Sequence, residues 1–377
     1  MKELLLIPGP TPVSEDVLDA LSNETISHTS DRFVKILSNC LNNVKIIFGA
    51  KDSTPFIIAG SGTLGMEMAL TNILDDNDNL LVISHGFFGD RFVEIGNALG
   101  VKVDVLRSNA GETVCLEEIS KKLKEKQYSA VTITHVDTST GVLADVKKIT
   151  EVVKKNSPDT LIVLDGVCAT GGVKEKMDEW GIDVIFTGSQ KAMATPPGLT
   201  MLAFSNRAIE KRKILKKTRT YYGDILRWIP VVEDPHKYFA TPAVNMVFAL
   251  EKSLEDIMEL GLKNYFEKHE LLSRKIRNAM ELFGFELLSK NSPAPTLSVF
   301  KYPVGISDID FRSLLEKRRV VVAPALGELK GHYFRMGHMG SLTEEELFVA
   351  LKRIMEVLEK MGLRFDKGKI LKTFVES

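Results

Sequence analysis

Lys191 stands at the end of Gly188-Ser189-Gln190-Lys191 and just before Ala192-Met193-Ala194-Thr195-Pro196-Pro197-Gly198. A lysine at a strand end, followed by a Pro-Pro-Gly loop, is not helix-surface decoration. Its amine must be neutral to form an imine or to act as a base, and a desolvated or cation-rich crevice lowers its pKa towards that state. Asp165 closes the apolar run 161–164. A carboxylate there could hold a heterocyclic N–H⁺, whereas a loop aspartate capping the next turn would read the same way. Ser61-Gly62-Thr63 lies at a strand-to-helix turn. Free N–H groups and two hydroxyls at such a turn can bind a phosphate, and an ordinary N-cap uses the same residue types. Phe88, between Gly86 and Gly89, offers an aromatic face for a planar ligand or simply for the core. His85 reads as a hydrogen-bonding structural histidine. Arg335, in Tyr333-Phe334-Arg335-Met336-Gly337, could clamp a carboxylate through two parallel hydrogen bonds, or form a salt bridge within its own domain.

The elements that must position these groups follow from the apolar pattern. Strand-like runs cover 55–58, 80–83, 102–106, 130–134, 161–164, 184–187 and 199–204, with helical patterns at 62–73, 90–99, 116–126 and 146–156. Regular alternation argues for an α/β fold with a mainly parallel sheet, and continuously apolar strands such as 161–164 argue for helices on both faces. In such a sheet ligands gather beyond the carboxyl ends of the strands. There lie Ser61-Gly62-Thr63, His85-Gly86-Phe87-Phe88-Gly89, Asp137-Thr138-Ser139-Thr140-Gly141, Asp165-Gly166-Val167 and Gly188-Ser189-Gln190-Lys191, which points to one composite site. Residues 241–283 read as helical with a break near Gly261. Strand-like 296–302, helical 308–317, strand-like 320–322 and a helix over 343–360 then suggest a smaller α+β unit. The expected division is an extended arm over 1–14, with Pro8, Pro10 and Pro12, a large domain over 15–258 and a small domain over 259–377.

Composition narrows the function classes. The formal net charge is −1 and 44% of the residues are apolar, which gives no field to steer nucleic acid or anionic lipid and enough apolar surface for a sizeable core. No apolar run approaches the roughly 18 residues of a membrane span. Cys40, Cys115 and Cys168 lie far apart without metal-ligand spacing. No secretory signal or peroxisomal tripeptide is present, so the expectation is a cytoplasmic protein with reduced thiols and no metal.

Gly188-Ser189-Gln190-Lys191-Ala192-Met193 followed by Pro196-Pro197-Gly198 resembles the lysine signature of class V aminotransferases, most closely the alanine–glyoxylate/serine–pyruvate branch. The similarity runs from Pro8-Gly9-Pro10-Thr11 to Arg335-Met336-Gly337. It implies pyridoxal phosphate, the fold type I architecture (a large domain with a mainly parallel central sheet plus a smaller C-terminal α+β domain) and a homodimer with shared active sites. On this resemblance Lys191 holds the cofactor and moves the proton. Ser61, Gly62, Thr63 and Gln190 match phosphate-binding positions, and Tyr238 and Thr241 match the pair that reaches the phosphate from the other subunit. Asp165 matches the ring-nitrogen partner, Val167 and Phe88 the groups on the ring faces, and Thr138 a hydroxyl near the ring oxygen. Gly9 and Arg335 match positions that hold the substrate carboxylate. Two positions depart from common family residues: Phe88 replaces tryptophan and Thr63 replaces histidine. The implied reaction is ping-pong transfer from serine or alanine to pyruvate or glyoxylate. Transfer from 2-aminoethylphosphonate or aspartate is the alternative, needing a further cation such as Arg32, Arg219 or Arg227. Cysteine desulfurase chemistry, which wants a histidine at 190 and a later cysteine nucleophile, fits poorly because no cysteine follows Cys168.

Overall fold

The computed structural model describes residues 2–215 and 217–377, so Met1 of the expected arm lies outside the described residues. In chain order the strands are β1 (Leu4–Leu6), β2 (Thr54–Ala59), β3 (Asn79–Ser84), β4 (Lys102–Arg107), β5 (Ala130–Thr134), β6 (Val136–Asp137), β7 (Val142–Leu143), β8 (Leu161–Asp165), β9 (Val184–Gly188), β10 (Leu199–Phe204), β11 (Glu286–Leu287), β12 (Leu297–Lys301), β13 (Val320–Pro324) and β14 (Tyr333–Gly337). The larger sheet has the order β2-β10-β9-β8-β5-β3-β4. The β4–β3, β3–β5, β5–β8 and β8–β9 pairs are parallel, and β10 alone runs against its neighbours. The fold is therefore mixed α/β with a mainly parallel sheet, as the alternating pattern implied.

Both faces of the central strands β5, β8, β9 and β10 are buried, which is why these strands are largely apolar, whereas the edge strand β4 is only half-buried and carries Lys102, Asp104 and Arg107. Leu81 and Ile83 of β3, Val131 and Ile133 of β5, and Ile162 and Leu164 of β8 enter one core with Phe33, Leu37 and Leu41. The alternate residues Leu80, Val82, Ala130, Leu161 and Val163 enter a second core with Met66, Leu70 and Phe92. Two helices lie between β1 and β2, the first strand of the larger sheet, and fall outside the strand-based reading: α1 (Glu15–Leu21) and α2 (Asp31–Phe48). Ser30 caps α2 by accepting from Phe33 N, and Gly49 ends it in the left-handed region at φ +62°. Next come α3 (Gly62–Thr71) and α4 (Phe87–Ala98). The start of α4 corrects the expectation of a helix from residue 90: Phe88 belongs to the first helical turn, not to a loop between glycines.

The second sheet has the order β1-β13-β14-β12-β11 and packs on a core of its own that includes Phe285, Phe311, Phe334 and Leu351. Its edge is the N-terminal segment, since Leu4 pairs with Val320 and Leu6 with Val322 in parallel. The long helical region is two helices, Val244–Leu260 and Leu262–Glu281, meeting at Gly261 with φ +84°. The expected division at 258/259 falls in the last turn before that glycine. A helix at Lys367–Glu376, absent from the sequence reading, packs Ile370 and Phe374 into the second core.

Candidate active site

The strand ends converge as the parallel topology requires. One cavity, of about 130 Å³, is lined by Ser61, Gly62 and Thr63 from the start of α3, and by Phe88 from the start of α4. Thr138 from the β6–β7 turn, Asp165 and Val167 at the end of β8, and Gln190 and Lys191 beyond β9 complete the matched set. Nine of the residues singled out from the sequence thus share one pocket.

The α3 end has donors to offer. Its first N–H groups have no partner inside the helix, and the Ser61 hydroxyl makes no capping bond. Gly62 allows close packing, because a Cβ there would lie 2.9 Å from Val167 Cγ2. Across the cavity the Gln190 Oε1 is buried without a protein partner. A small anion at this end would meet helix-terminal N–H groups and hydroxyls.

Asp165 is buried and accepts a hydrogen bond from Val167 N at 2.9 Å. Burial pushes its carboxyl up to about 7. The Val167 N–H and the nearby Lys191 oppose that rise, and the charges of Asp137 and Glu175 add to it. A carboxyl poised there can exchange a proton with a basic ring nitrogen near neutrality. Burial pushes Cys168, next to it on the cavity wall, up to about 11, so it stays a thiol.

Lys191 sits in a loop tied down on several sides. Ser189 Oγ donates to Pro196 O at 2.7 Å, Tyr265 OH to Ala192 O at 2.6 Å, and Ser253 Oγ to Met193 O at 2.6 Å. Ala194 holds a left-handed φ of +46°, a strained conformation that these bonds sustain. Desolvation lowers the Lys191 pKa, and the Arg335 charge lowers it further. Both act towards the neutral amine.

The N-terminal segment covers this loop. Lys191 Nζ donates to the Pro8 carbonyl, Thr11 N donates to Gln190 O at 3.1 Å, and Thr11 Oγ1 donates to Lys191 O at 2.9 Å. A Cβ on Gly9 would lie 2.6 Å from Lys191 Nζ. Arg335 is turned towards the same place: its Nε donates to Pro324 O at 2.8 Å and its NH1 to Thr138 O at 3.5 Å. Those bonds occupy only part of a five-donor fork.

Tyr238 and Thr241 do not join this cavity. Both are exposed, and Tyr238 packs edge-on against His28 beside an apolar groove formed with Phe33, Trp228 and Pro242. Arg32, Arg219 and Arg227 are also elsewhere: over Phe248, bonded to Leu99 O and Asp76, and stacked on Tyr221 at 4.2 Å, respectively. The arginine that does line the cavity is Arg91, one turn into α4, lying 4.7 Å over the Phe88 ring and 3.4 Å from Thr63 Oγ1. Among the described residues it forms no ion pair. Its signal was available in the sequence as the first cation after the glycine cluster. Asp137, in a cluster that the sequence reading used only for Thr138, is buried behind the wall. His85 is buried and its imidazole is pushed down to about 4, chiefly by burial, which keeps it neutral. Among the described residues no group of three or more His, Cys, Asp and Glu side chains is placed to hold a metal.

Residues 4–330 match the family model described as "Aminotransferase class-V". An alanine–glyoxylate aminotransferase of Saccharomyces cerevisiae is 37% identical over 97% of this chain and 99% of its own length. An L-aspartate–glyoxylate aminotransferase of Paracoccus denitrificans is 30% identical over 97% of this chain and 93% of its own. The crystal structure of an alanine–glyoxylate aminotransferase from Nostoc superposes with a TM-score of 0.91 at 27% identity, covering 95% of this chain and 96% of that one.

Proposed function

The chain is a member of the class V aminotransferase family, and on that premise we propose that it binds pyridoxal 5'-phosphate through Lys191 and passes the amino group of serine or alanine to glyoxylate or pyruvate. The observation that carries this reading is the meeting of a pKa-lowered lysine, a buried carboxyl near neutrality and an open helix N-terminus in one cavity.

The residues present fit the cofactor. The Ser61 hydroxyl, the first N–H groups of α3, Thr63 and the donating NH2 of the Gln190 side-chain amide suit a phosphate end. Asp165 suits the ring nitrogen, Val167 and Phe88 the ring faces, and Thr138 the ring oxygen. When bound, pyridoxal phosphate supplies an electron sink for the carbanion left at the donor's Cα. Lys191 would hold the cofactor through Nζ, and its neutral amine would take the Cα proton as a general base and return it as a general acid. Asp165 holds the ring nitrogen's proton. Arg335 and the Gly9 backbone hold the donor carboxylate, and the segment at Pro8–Thr11 shields the amine from water.

Two protomers complete each site in this reading. The exposure of Tyr238 and Thr241, away from their own cavity, supports their reaching the phosphate of a partner. No described helix is long and apolar enough to cross a membrane, and the free cysteines Cys40, Cys115 and Cys168 support a cytoplasmic setting.

An acidic donor, aspartate or 2-aminoethylphosphonate, is a second reading favoured by one observation, the unpaired Arg91 on the cavity wall. Mixing the cofactor-loaded enzyme with single amino acids and following loss of its visible absorbance band separates the two. Conversion by serine or alanine supports the first reading. Failure of both, with conversion by aspartate, transfers the assignment to the second.

A further inference from the structure

We infer that Asp137 is the positioning residue of this site: its buried carboxylate fixes Phe88 and Thr138, on separate segments of chain, at a set offset from one another. The inference rests on reading the cavity as a cofactor site and extends it to a side chain behind the wall.

The reason lies in how α4 begins. The first N–H groups of a helix need outside acceptors, and an N-cap side chain normally supplies one. The N-cap here is Gly86, which has no side chain. The acceptors come instead from the β6–β7 turn. Phe88 N and Gly89 N each donate to Asp137 Oδ2 at 3.0 Å, and Phe87 N donates to Ser139 Oγ at 2.9 Å. The other carboxylate oxygen, Oδ1, accepts from Ser139 N at 2.9 Å and Ser139 Oγ at 2.6 Å. Four donors on two oxygens match an ionised carboxylate, since a protonated one would set an O–H against a donor. Burial pushes this carboxyl up, and the Ser139, Gly89 and Phe88 bonds pull the other way. The negative charge also faces the positive end of the α4 dipole. Among the described residues no lysine or arginine pairs with it.

The close approach depends on glycine at 86, where a Cβ would lie 2.8 Å from Asp137 Cγ. Thr140 Oγ1 donates to His85 O at 2.8 Å and adds a further tie between the segments. Asp137 thus grips the backbone of the ring-stacking Phe88 with one oxygen. With the other it grips the turn that carries Thr138, whose carbonyl in turn meets Arg335. Two groups expected to meet the ring face and the ring oxygen are tied to one side chain that does not line the cavity, while Arg335 keeps its own anchor on Pro324 O.

The test compares wild type, Asp137→Asn, Phe88→Leu and the double variant. The readouts are pyridoxal-phosphate affinity, visible circular dichroism of the bound cofactor, and separate kcat and KM. Asp137→Asn should weaken cofactor binding about tenfold, remove most of the visible dichroism and lower kcat by about 10- to 100-fold, with donor KM changed less than about threefold. Phe88→Leu should cost far less when combined with Asp137→Asn than in wild type, because the ring is already displaced. Unchanged affinity and dichroism in Asp137→Asn, or additive losses in the double variant, would overturn the inference. Should Asp137→Asn fail to fold, Ser139→Ala must show the same pattern at smaller size, and additivity with Phe88→Leu there overturns it too. A wild type that binds no pyridoxal phosphate refutes the cofactor reading itself. A wild type that binds it beside an indifferent Asp137→Asn refutes only this role.

Discussion

Gly9 lies so close to Lys191 that a Cβ on it would sit 2.6 Å from Nζ and 2.7 Å from Cδ of the lysine. Its φ of +131° also lies where L side chains are strained. Gly9→Ala therefore has to displace either the lysine or the segment above it. We expect about a 10- to 100-fold fall in kcat/KM, from roughly 1–3 kcal/mol of strain at the reacting amine. Steady-state kinetics with the absorbance of the bound cofactor checks this. Unchanged kinetics would mean that the segment at Pro8–Thr11 does not stay over the amine during turnover.

Asp165 gives the cofactor-free protein a pH signature. Its folded-state pKa, about 7, lies above its unfolded value, so the folded protein binds the extra proton between about pH 4 and pH 7. The stability contributed by the neutral carboxyl is full below about pH 4 and is lost as the pH rises through about 7. Between pH 5 and 7.5 wild type should lose on the order of 2 kcal/mol more than Asp165→Asn, measured by urea unfolding of the cofactor-free forms. Parallel pH profiles for the two proteins would contradict the assignment.

Arg335 spends one donor on Pro324 O and one on Thr138 O, and its remaining donors suit a carboxylate. Arg335→Lys keeps the charge and loses the planar fork. Donor KM should rise about tenfold or more while cofactor affinity changes little. A loss confined to cofactor affinity would move this residue out of the substrate site.

Tyr238 and Thr241 are exposed and absent from the cavity of their own protomer. If they serve a partner's site, mixed dimers of Lys191→Ala with the Tyr238→Phe, Thr241→Ala double variant hold one intact site in two, so activity should return to about half of wild type per mixed dimer. Absence of recovery in verified mixed dimers would place both residues outside the shared site.

Much of the site was legible in the sequence because a parallel sheet brings every strand's carboxyl end to one rim, whatever the loop details. Ser61-Gly62-Thr63, Asp165 and Lys191 needed only strand positions to be seen as neighbours. What stayed hidden depends on partners distant in the chain. The first turn of α4 could not be read because Gly86 offers no cap and the acceptors belong to Asp137 and Ser139. The arm looked merely extended because its strand pairs with Val320–Val322 across most of the chain. Arg91 was not singled out: it is the first cation after the glycine cluster, but the sequence does not show which face of α4 turns to the cavity. By contrast α2 was missed although its signal is local: Phe33, Leu37, Leu41 and Val44 recur at helical spacing between Ser30 and Gly49.

The central claim is that Lys191 is the residue that holds the cofactor and moves the proton. Reduction of the cofactor-loaded enzyme with borohydride, followed by peptide mass mapping, tests it most directly, with Lys191→Ala in parallel. The account predicts the mass of reduced pyridoxal phosphate on the peptide containing Lys191, and for Lys191→Ala neither the visible band of the lysine-bound cofactor nor significant turnover. Label on another lysine, or turnover that survives Lys191→Ala intact, would contradict it.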